Sequence, residues 1–384
     1  MSDIDRLIAT VFLLSAGILA YAYLFYPLVL SVLPSRSKAA QAKPGAPREW
    51  PTVSVIVSAY NEAASIRARI RNFLEGRYPG WSELIIVSDG SSDATVEEAR
   101  AAASEQVRVL VRPQRGGKAA ALGLAVEYAR GEILIFSDAT SVFHPDALTN
   151  LVRRFEDPDV GLVTGKVKAH GPEIVGLYHR YERYLERREA DNGVLATAHG
   201  CIYAMRRELW RHHDPQLVDD FLAPILVSLS AKRAIAAPDA ICVEEFPAEV
   251  QFNRQVRMVA LAALTFYREL PELVRSRRWR SLLVLVSHKF LRWFTVVWLA
   301  LLAATTSWLM PLGGIYLMAA AVQAAFWITV AAGALMSRNG VSRRITFAYQ
   351  FVALNAAAMV GLCRLIGGRV PMMWDTSPVK ADQA

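Results

Sequence analysis

The chain has 384 residues, of which 53% are hydrophobic and 20% are charged, and its formal net charge is +8. This combination argues against a pure membrane bundle and favours a soluble domain joined to membrane segments, within a length that allows two or three domains. The three cysteines, Cys201, Cys242 and Cys363, form no CxxC pair, so no disulfide framework or zinc site is indicated, and a reducing cytoplasmic setting fits.

An uncharged stretch lies near the start of the chain. Residues 7–33 exceed the roughly 20 residues that span a bilayer, and we predict a transmembrane helix within 1–33. A cleaved signal peptide is the alternative, but the run is too long for one, and Asp3 and Asp5 precede it where basic residues belong. Proline and basic residues follow in a predicted linker over 34–51, and the positive-inside rule places this side in the cytoplasm.

Strand-like and helix-like segments alternate from residue 52 onwards. The predicted strands are 53–58, 84–88, 107–111 and 133–137, and the predicted helices are 62–74, 95–103, 118–128 and 145–155. This alternation predicts a parallel sheet covered by helices on both faces, and therefore an α/β fold. Glu62, Asp89 and Asp138 follow three of the strand ends, where ligands bind in such sheets.

The pattern is less regular beyond residue 160. We expect strands at 160–168 and 200–205, a surface-lying helix at 173–190, and an apolar helix that begins near 217–221. Residues 249–292 are predicted to form amphipathic helices in the membrane interface, because the basic cluster Arg275–Arg280 precedes an apolar stretch. This placement favours membrane lipid as a partner and argues against nucleic acid.

Three further transmembrane helices are predicted within 293–366, at about 293–310, 312–336 and 345–362. The arginines of the loop 337–344 mark a cytoplasmic side. Four spans place the C-terminus outside, whereas the basic residues in and around the tail 367–384 favour the inside, and these two indications disagree.

The motifs at the strand ends point to a nucleotide site. The turn after the first strand, Ala59–Glu62, has no glycine, which argues against a dinucleotide fingerprint, and the chain has no P-loop. The turn Arg115–Lys118 begins a helix, so a diphosphate would rest on the helix N-terminus beside Lys118. A divalent cation held by Asp138 would neutralise the same diphosphate.

Four segments in order resemble the signature of membrane-bound family-2 glycosyltransferases, which include hyaluronan, chitin-oligosaccharide, poly-N-acetylglucosamine and cellulose synthases. They are Val55-Ile-Val-Ser-Ala-Tyr-Asn-Glu62, Val87-Ser-Asp-Gly-Ser-Ser-Asp93, Gly117-Lys-Ala119 and Phe136-Ser-Asp-Ala-Thr140. The resemblance covers residues 52–260 closely and the flanking helices in arrangement only. It implies a GT-A domain over 52–248 that takes a nucleotide sugar, usually a UDP-sugar, and inverts its anomeric carbon.

The resemblance also implies roles for individual residues. It makes Asp220 the general base, with Asp219 beside it, and gives Asp138 and Thr140 the positions of a D-x-D motif that binds Mg²⁺ or Mn²⁺. The acceptor loop would contain His199, Gly200 and Cys201. The nucleotide sugar would contact Tyr60, Glu62, Asp89, Lys118, Asp138, Arg254 and Arg257.

Two departures from the family pattern bear on the prediction. Thr140 replaces the second aspartate of the metal motif, and Arg254 and Met258 replace the Gln and Trp of the Gln-x-x-Arg-Trp motif of polymerising synthases. The residues alone also allow Asp219 and Asp220 to be helix caps. We predict a multi-pass inner-membrane glycosyltransferase that acts on a glycan or lipid-linked acceptor, with or without further membrane subunits. The alternatives are transfer of one sugar to a lipid carrier, and a non-catalytic subunit that binds nucleotide or glycan.

Overall fold

The computed structural model describes residues 2–33, 49–169, 177–212, 214, 216–244, 251–338 and 347–369. Most of the predicted linker 34–51, residues 339–344 of the predicted cytoplasmic loop and most of the tail 367–384 lie outside these ranges. The described part consists of one eight-stranded sheet with its covering helices, and a set of long apolar helices.

The first apolar helix has an interruption caused by its sequence. Helix α1 (Asp3–Ala20) continues through a π-helical turn (Tyr21–Phe25) into α2 (Tyr26–Val32). Proline at position 27 has no N–H to donate to the carbonyl of Tyr23, and its ring crowds that carbonyl, which widens the preceding turn. The carbonyl of Tyr23 is therefore available to another partner.

The first half of the sheet is the predicted parallel array. Its strands are β1 (Val53–Ala59), β2 (Ser82–Asp89), β3 (Val107–Arg112) and β4 (Ile133–Asp138), paired in parallel in the order β3-β2-β1-β4. The intervening helices are α3 (Ile66–Leu74), α4 (Thr95–Ala101) and α5 (Lys118–Tyr128). Asp89 ends β2 and Asp138 ends β4, and these two strands flank β1 and run parallel to it. The prediction of carboxylates at one edge of the sheet is therefore confirmed for these two residues.

The second half of the sheet, which the prediction of a parallel array did not cover, mixes parallel and antiparallel pairing. The chain continues through β5 (Val142–Phe143), α6 (Ala147–Val152), β6 (Val160–Ala169), α7 (Leu177–Asp191), β7 (Tyr203–Arg206), α8 (Asp219–Leu229) and β8 (Arg233–Glu244). Strand β7 lies between β4 and β6 and is antiparallel to both. The amino end of β7 therefore lies at the edge where β4 ends. The loop before β7, which contains His199 and Gly200, lies at the same edge as Asp138.

Several predicted boundaries were wrong for local reasons. Helix α3 begins at residue 66 rather than 62. The carbonyl oxygen of Glu62 accepts hydrogen bonds from the N–H groups of Ser65 and Ile66, which form a turn before the helix. Strand β7 begins at 203, so the residues 200–202 belong to the loop. Strand β8 was not predicted, since Pro238 and Asp239 interrupt its apolar pattern.

Two apolar layers cover the two faces of the sheet. Alternate residues such as Val55 and Val57 pack with α3 and α6 on one face, while Ile56 and Phe136 pack with α5 and α8 on the other. Phe136 stacks on Tyr203 of β7 with 4.7 Å between ring centroids. This packing is the side-chain alternation expected of strands that are buried on both faces.

The prediction that the helix at 173–190 lies on the surface was wrong, because part of this helix is buried. Helix α7 carries buried Leu185, Glu189, Ala190 and Asp191, and it lies against α2 and the sheet. Its charged residues suggested exposure, but several of them have partners on other helices, described below. The side chain of Tyr178 lies outside the described residues.

The C-terminal part begins with the amphipathic segment and continues into apolar helices. The elements are α9 (Gln251–Arg275), α10 (Trp279–Val284), a π-helical turn (Leu285–Phe290), α11 (Leu291–Trp293), α12 (Thr295–Leu309), α13 (Ile315–Arg338) and α14 (Phe347–Ile366). Helix α9 packs against α14 and α8. Among the described residues, four segments are long and apolar enough to cross a membrane: Asp3–Val32, Thr295–Leu312, Ile315–Met336 and Phe347–Ile366.

Candidate active site

The centre of the site is an ion pair between the start of α5 and the end of β4. Lys118 Nζ lies 2.7 Å from Asp138 Oδ1 and 3.5 Å from the carbonyl oxygen of Gly200. Burial disfavours the ammonium, but Asp138, and after it Asp219 and Asp220, raise the pKa of Lys118 above its usual value. Lys118 is therefore a fixed positive charge among three carboxylates.

The two acidic residues at the start of α8 have different surroundings. Asp219 is buried, and its Oδ2 accepts a hydrogen bond of 3.0 Å from the hydroxyl of Tyr203. The Asp220 carboxylate accepts no hydrogen bond from the part of the chain that the structure describes. Neither side chain caps the helix, whose N-cap residue is Val218 without a side-chain cap bond. The helix-cap alternative is therefore wrong for this pair.

Asp220 has the electrostatic surroundings of a base. Burial and the adjacent Asp219 carboxylate raise the pKa of Asp220 to about 7, against the opposing effect of Lys118. A carboxylate in this range holds a proton strongly enough to accept one from a hydroxyl near neutral pH. Asp219 therefore makes the structural hydrogen bond with Tyr203, whereas Asp220 has a basic oxygen that is available to a substrate.

The predicted acceptor loop lies directly against Asp220. The N–H of Ala198 donates to the carbonyl oxygen of Asp220 (2.9 Å), and a Cβ on Gly200 would lie 2.7 Å from Asp220 Oδ2. His199 lies on the same loop, with Nε2 3.1 Å from Glu186. Burial opposes protonation of the ring, but the Glu186 carboxylate raises the pKa of His199. The Cys201 side chain is buried in the core with Cys242, so only its backbone is available to an acceptor.

The predicted nucleotide residues lie on the other side of Lys118. Asp89 accepts hydrogen bonds from the N–H groups of Gly116 (3.0 Å) and Gly117 (2.6 Å) and pairs with Arg112. Gly117 has a φ of +89°, which favours glycine at the turn into α5. Asp89 therefore holds the turn before Lys118 in place. Contact with the nucleobase of the donor would be an additional role for Asp89.

Tyr60 and Glu62 complete this side of the cleft. The guanidinium of Arg115 lies 3.6 Å from the ring centroid of Tyr60, which makes a flat cationic and aromatic surface. Burial raises the pKa of Glu62 although Ser65 donates to its carboxylate (2.6 Å), and nearby Asp138 adds to the rise. Both residues are half-buried, and they follow the end of β1, where the sequence placed them.

Positive charge converges from two parts of the chain. Burial lowers the pKa of Arg257, and the neighbouring guanidinium groups of Arg254 and Arg115 lower it further. Arg254 and Arg257 lie on α9, whereas Arg115 lies in the turn before α5. Like charges held close together favour an anion between them. Arg115 was not among the predicted contact residues, although the basic turn that contains it was recognised.

Asp138 would hold a divalent cation only with help from the substrate. Asp138 is half-buried, and Thr140 has an exposed side chain. The described ranges contain no group of three His, Cys, Asp or Glu residues placed to bind a metal ion. Hard cations prefer six or more oxygen ligands, so Asp138 fits such an ion if diphosphate oxygens and water supply the others. Glu244 of β8, which the sequence interpretation missed, lies near enough to Asp138 for each charge to affect the other.

Comparison with known families identifies the domain. Residues 54–213 match the model of the family described as Glycosyl transferase family 2. The fold is the GT-A fold: the mannosyltransferase PcManGT from Pyrobaculum calidifontis, solved in complex with GDP-Man and Mn²⁺, has a TM-score of 0.71 with this chain. That similarity covers 95% of this chain and 99% of the other at 22% identity. The chain therefore has the GT-A fold, and its residues 54–213 match the family-2 glycosyltransferase model.

Curated relatives match over shorter stretches. Glycosyltransferase AglE of Haloferax volcanii is 31% identical over 137 residues, which is 35% of this chain and 45% of AglE. An N-acetylglucosaminyltransferase of Rhizobium meliloti is 30% identical over 145 residues, or 37% of this chain and 34% of the relative. The aligned stretch is thus less than half the length of each of these relatives. The similarity to hyaluronan or cellulose synthases in particular remains a prediction.

Proposed function

We propose that the protein is an integral membrane glycosyltransferase that moves a sugar from a nucleoside diphosphate sugar to a hydroxyl of a glycan or lipid-linked acceptor, with inversion at the anomeric carbon. The proposal rests above all on one observation. Asp220 has a raised pKa, accepts no hydrogen bond from the described residues and lies near the Lys118 charge, while Arg115, Arg254 and Arg257 lie close to one another. A proton acceptor and an anion-binding surface are the two requirements of this transfer.

The reaction would proceed as a single displacement. Asp220 takes the proton from the acceptor hydroxyl while the hydroxyl oxygen forms a bond to the anomeric carbon. The bond from that carbon to the diphosphate oxygen breaks, and its electron pair leaves with the nucleoside diphosphate. Attack from the face opposite the leaving group inverts the configuration.

The leaving group would be stabilised by fixed positive charge. Lys118 is held by Asp138 before the substrate binds, so it needs no rearrangement when negative charge develops on the diphosphate, and Arg257 of α9 would add positive charge there. The N-terminus of α5, with free N–H groups and the positive end of its dipole, adds to this. Asp138 would help to hold a divalent cation, which would supply further neutralisation of the diphosphate.

The four apolar helices support a membrane location for this chemistry. The basic residues of the linker 34–51 and the loop 337–344 favour the cytoplasmic side for the catalytic domain, which is also where nucleotide sugars are made available. In this arrangement the acceptor hydroxyl would reach Asp220 close to the bilayer.

A panel of donors tests the proposal. Full-length protein in detergent would be incubated with UDP-glucose, UDP-N-acetylglucosamine or GDP-mannose, and the released nucleoside diphosphate measured. We expect release from at least one donor at a rate that depends on an added lipid or glycan acceptor. No release from any donor or acceptor tested, by protein that still binds UDP or GDP, would favour the alternative of a non-catalytic subunit.

Transfer of one sugar to a lipid carrier is a second candidate. It is favoured by Arg254 and Met258, which replace the Gln and Trp of the polymerising motif, and by the bond of the acceptor loop to α7, which lies against α2. Organic extraction of the products separates the two functions. A product with one sugar in the lipid phase supports the carrier, whereas a water-soluble polymer of increasing length supports polymerisation.

A further inference from the structure

We infer that helix α7 positions the acceptor loop and Asp220 by connecting them to the membrane helices, an inference that rests on the proposed function. Three glutamates, Glu182, Glu186 and Glu189, lie four and three residues apart, and this spacing places them on one face of the helix. Glu182 and Glu189 both bond His288, whereas Glu186 pairs with His199.

At the membrane end, a group of five side chains joins three separate segments. His288 donates or accepts through both ring nitrogens, with Nδ1 2.6 Å from Glu189 Oε1 and Nε2 3.0 Å from Glu182 Oε2. Arg292 Nη2 donates to Glu182 Oε1 (2.6 Å), and the Tyr26 hydroxyl donates to Glu189 Oε1 (2.8 Å). We call these residues, Tyr26, Glu182, Glu189, His288 and Arg292, the junction cluster.

Four members of the junction cluster are buried and Glu182 is half-buried, so the loss of one member affects the others. Tyr26 is 0% exposed and Glu189 is 1% exposed. Burial alone would raise the pKa of Glu189, but His288, and after it Tyr26, lower it below its usual value. The removal of one partner would leave a buried charge without compensation, which is unfavourable. The cluster therefore forms only when α2, α7 and the turn Leu285–Phe290 are packed together.

Both membrane-side partners of α7 contain a π-helical turn at the contact. Because Pro27 leaves the carbonyl of Tyr23 without its helical donor, this oxygen accepts a hydrogen bond of 3.1 Å from the Tyr181 hydroxyl of α7. The second π-turn contains His288 itself, and its Ser287 bonds Tyr21 of the first (2.8 Å). Such turns recur at functional sites, where they redirect side chains and backbone groups.

At the catalytic end, the same helix holds the loop that contacts the base. Glu189 Oε2 accepts the N–H of Ala196 (3.0 Å), while Glu186 pairs with His199 (3.1 Å). Ala198, which lies between Ala196 and His199 in the chain, donates its N–H to the carbonyl oxygen of Asp220. One carboxylate, Glu189, thus contacts both a transmembrane helix and the acceptor loop.

The consequence is that the position of Asp220 depends on how the membrane helices pack. An acceptor approaching from the bilayer would find the base in position only when the junction cluster is formed. The turns after β1, β2 and β4 form the proposed donor side of the site. None of the bonds described above connects these turns to the junction cluster. Loss of the cluster should therefore reduce kcat and leave nucleoside diphosphate binding unchanged.

A pair of matched substitutions in full-length protein tests the inference. Tyr26→Phe deletes the hydroxyl that donates to Glu189. Tyr23→Phe deletes a hydroxyl on the same helix that, within the described residues, bonds Thr295 and Asn355, and it keeps the ring that lies against Arg292. Two readouts are compared: amide hydrogen exchange of residues 195–202, which needs no turnover, and kcat with the donor selected above. The exchange readout allows the inference to fail or hold separately from the proposed function.

For Tyr26→Phe we expect loop exchange to be faster and kcat to be lower, each by roughly three- to tenfold, because a hydrogen bond to a charged buried group is lost. The dissociation constant for UDP or GDP should change by less than about twofold. Tyr23→Phe should leave loop exchange and kcat at wild-type values. Glu189→Gln, which keeps an acceptor for Ala196 but loses the charge beside His288, should have the larger effect. Equal loop exchange in Tyr26→Phe, Glu189→Gln and wild type would overturn the inference, as would a loss confined to donor binding.

Discussion

A Cβ atom on Gly200 would lie 2.7 Å from Oδ2 of Asp220, so the absence of a side chain at position 200 allows the acceptor loop to approach the base. The atom in the way is the end of a movable side chain, and the backbone at Gly200 is outside the left-handed region. Gly200→Ala should therefore fold but displace the Asp220 carboxylate. We expect kcat to fall by about tenfold or more, since a small misplacement of a catalytic group is costly, and the melting temperature to change little.

Gly123→Ala is the matched control for this substitution. Gly123 lies within α5, and a Cβ there would meet only His212 Nδ1, at 3.8 Å. Alanine within a helix is favoured over glycine, so this variant should be active and at least as stable as wild type. Wild-type kcat in Gly200→Ala would mean that the loop and Asp220 are not held at the distance observed.

The pH dependence of kcat/KM should report the pKa of Asp220. A general base acts only when deprotonated, so with a pKa of about 7 the rate should fall as the pH drops below 7 and level off above it. Asp219→Asn removes the neighbouring negative charge that contributes to this raised pKa, and it should shift the acid limb to lower pH. A rate that stays constant from about pH 5 to about pH 9 would argue against a base with this pKa.

The metal requirement should become less demanding when a carboxylate is restored at position 140. Asp138 has no second carboxylate in the D-x-D motif, and Thr140 is exposed beside it. Thr140→Asp should lower the Mg²⁺ or Mn²⁺ concentration at half-maximal activity, because an added carboxylate replaces water in the coordination sphere. Thr140→Asn, which adds a similar shape without charge, is the control. An unchanged requirement in Thr140→Asp would show that residue 140 does not face the metal.

Much of the nucleotide side was predictable because its determinants are local. A buried parallel strand has a continuous apolar run, and Asp89 and Asp138 are recognisable as the polar residues that end such runs. The glycine and lysine that begin α5 are likewise adjacent in the chain. Sequence patterns of this kind act over a few residues, and the structure has them where they were expected.

The acceptor side could be predicted only in part, because its contacts are distant in the chain. Glu189 and Tyr26 are 163 residues apart, and Glu189 and His288 are 99 residues apart. The sequence of α7 contains many charges, which indicated an exposed helix. The three glutamates on one face were a signal of buried partners, but nothing local identified His288 or the loop at 195–199. Strand β8 was missed because Pro238 lies within it, at a shift in the register of its pairing with β6.

Topology can be tested by labelling. The loop 34–51 and the loop 337–344 should both be cytoplasmic because both are rich in arginine and lysine. Single cysteines placed in each loop, in a background with Cys363→Ala, should be silent to a membrane-impermeant reagent added from the periplasmic side and reactive after the membrane is opened. Strong labelling of either loop in intact cells would place the catalytic domain on the wrong side for its proposed donor.

The most direct test of the account is the turnover of Asp220→Asn. Asparagine keeps the shape of the side chain but removes the basic oxygen, so kcat should fall by about 10²–10⁴-fold while nucleotide-sugar binding and the melting temperature stay near wild type. Asp219→Asn, which affects the hydrogen bond from Tyr203, should be the milder change in kcat. Turnover in Asp220→Asn above about a tenth of wild type would contradict the assignment of the base, and a more severe loss in Asp219→Asn would move that assignment to Asp219.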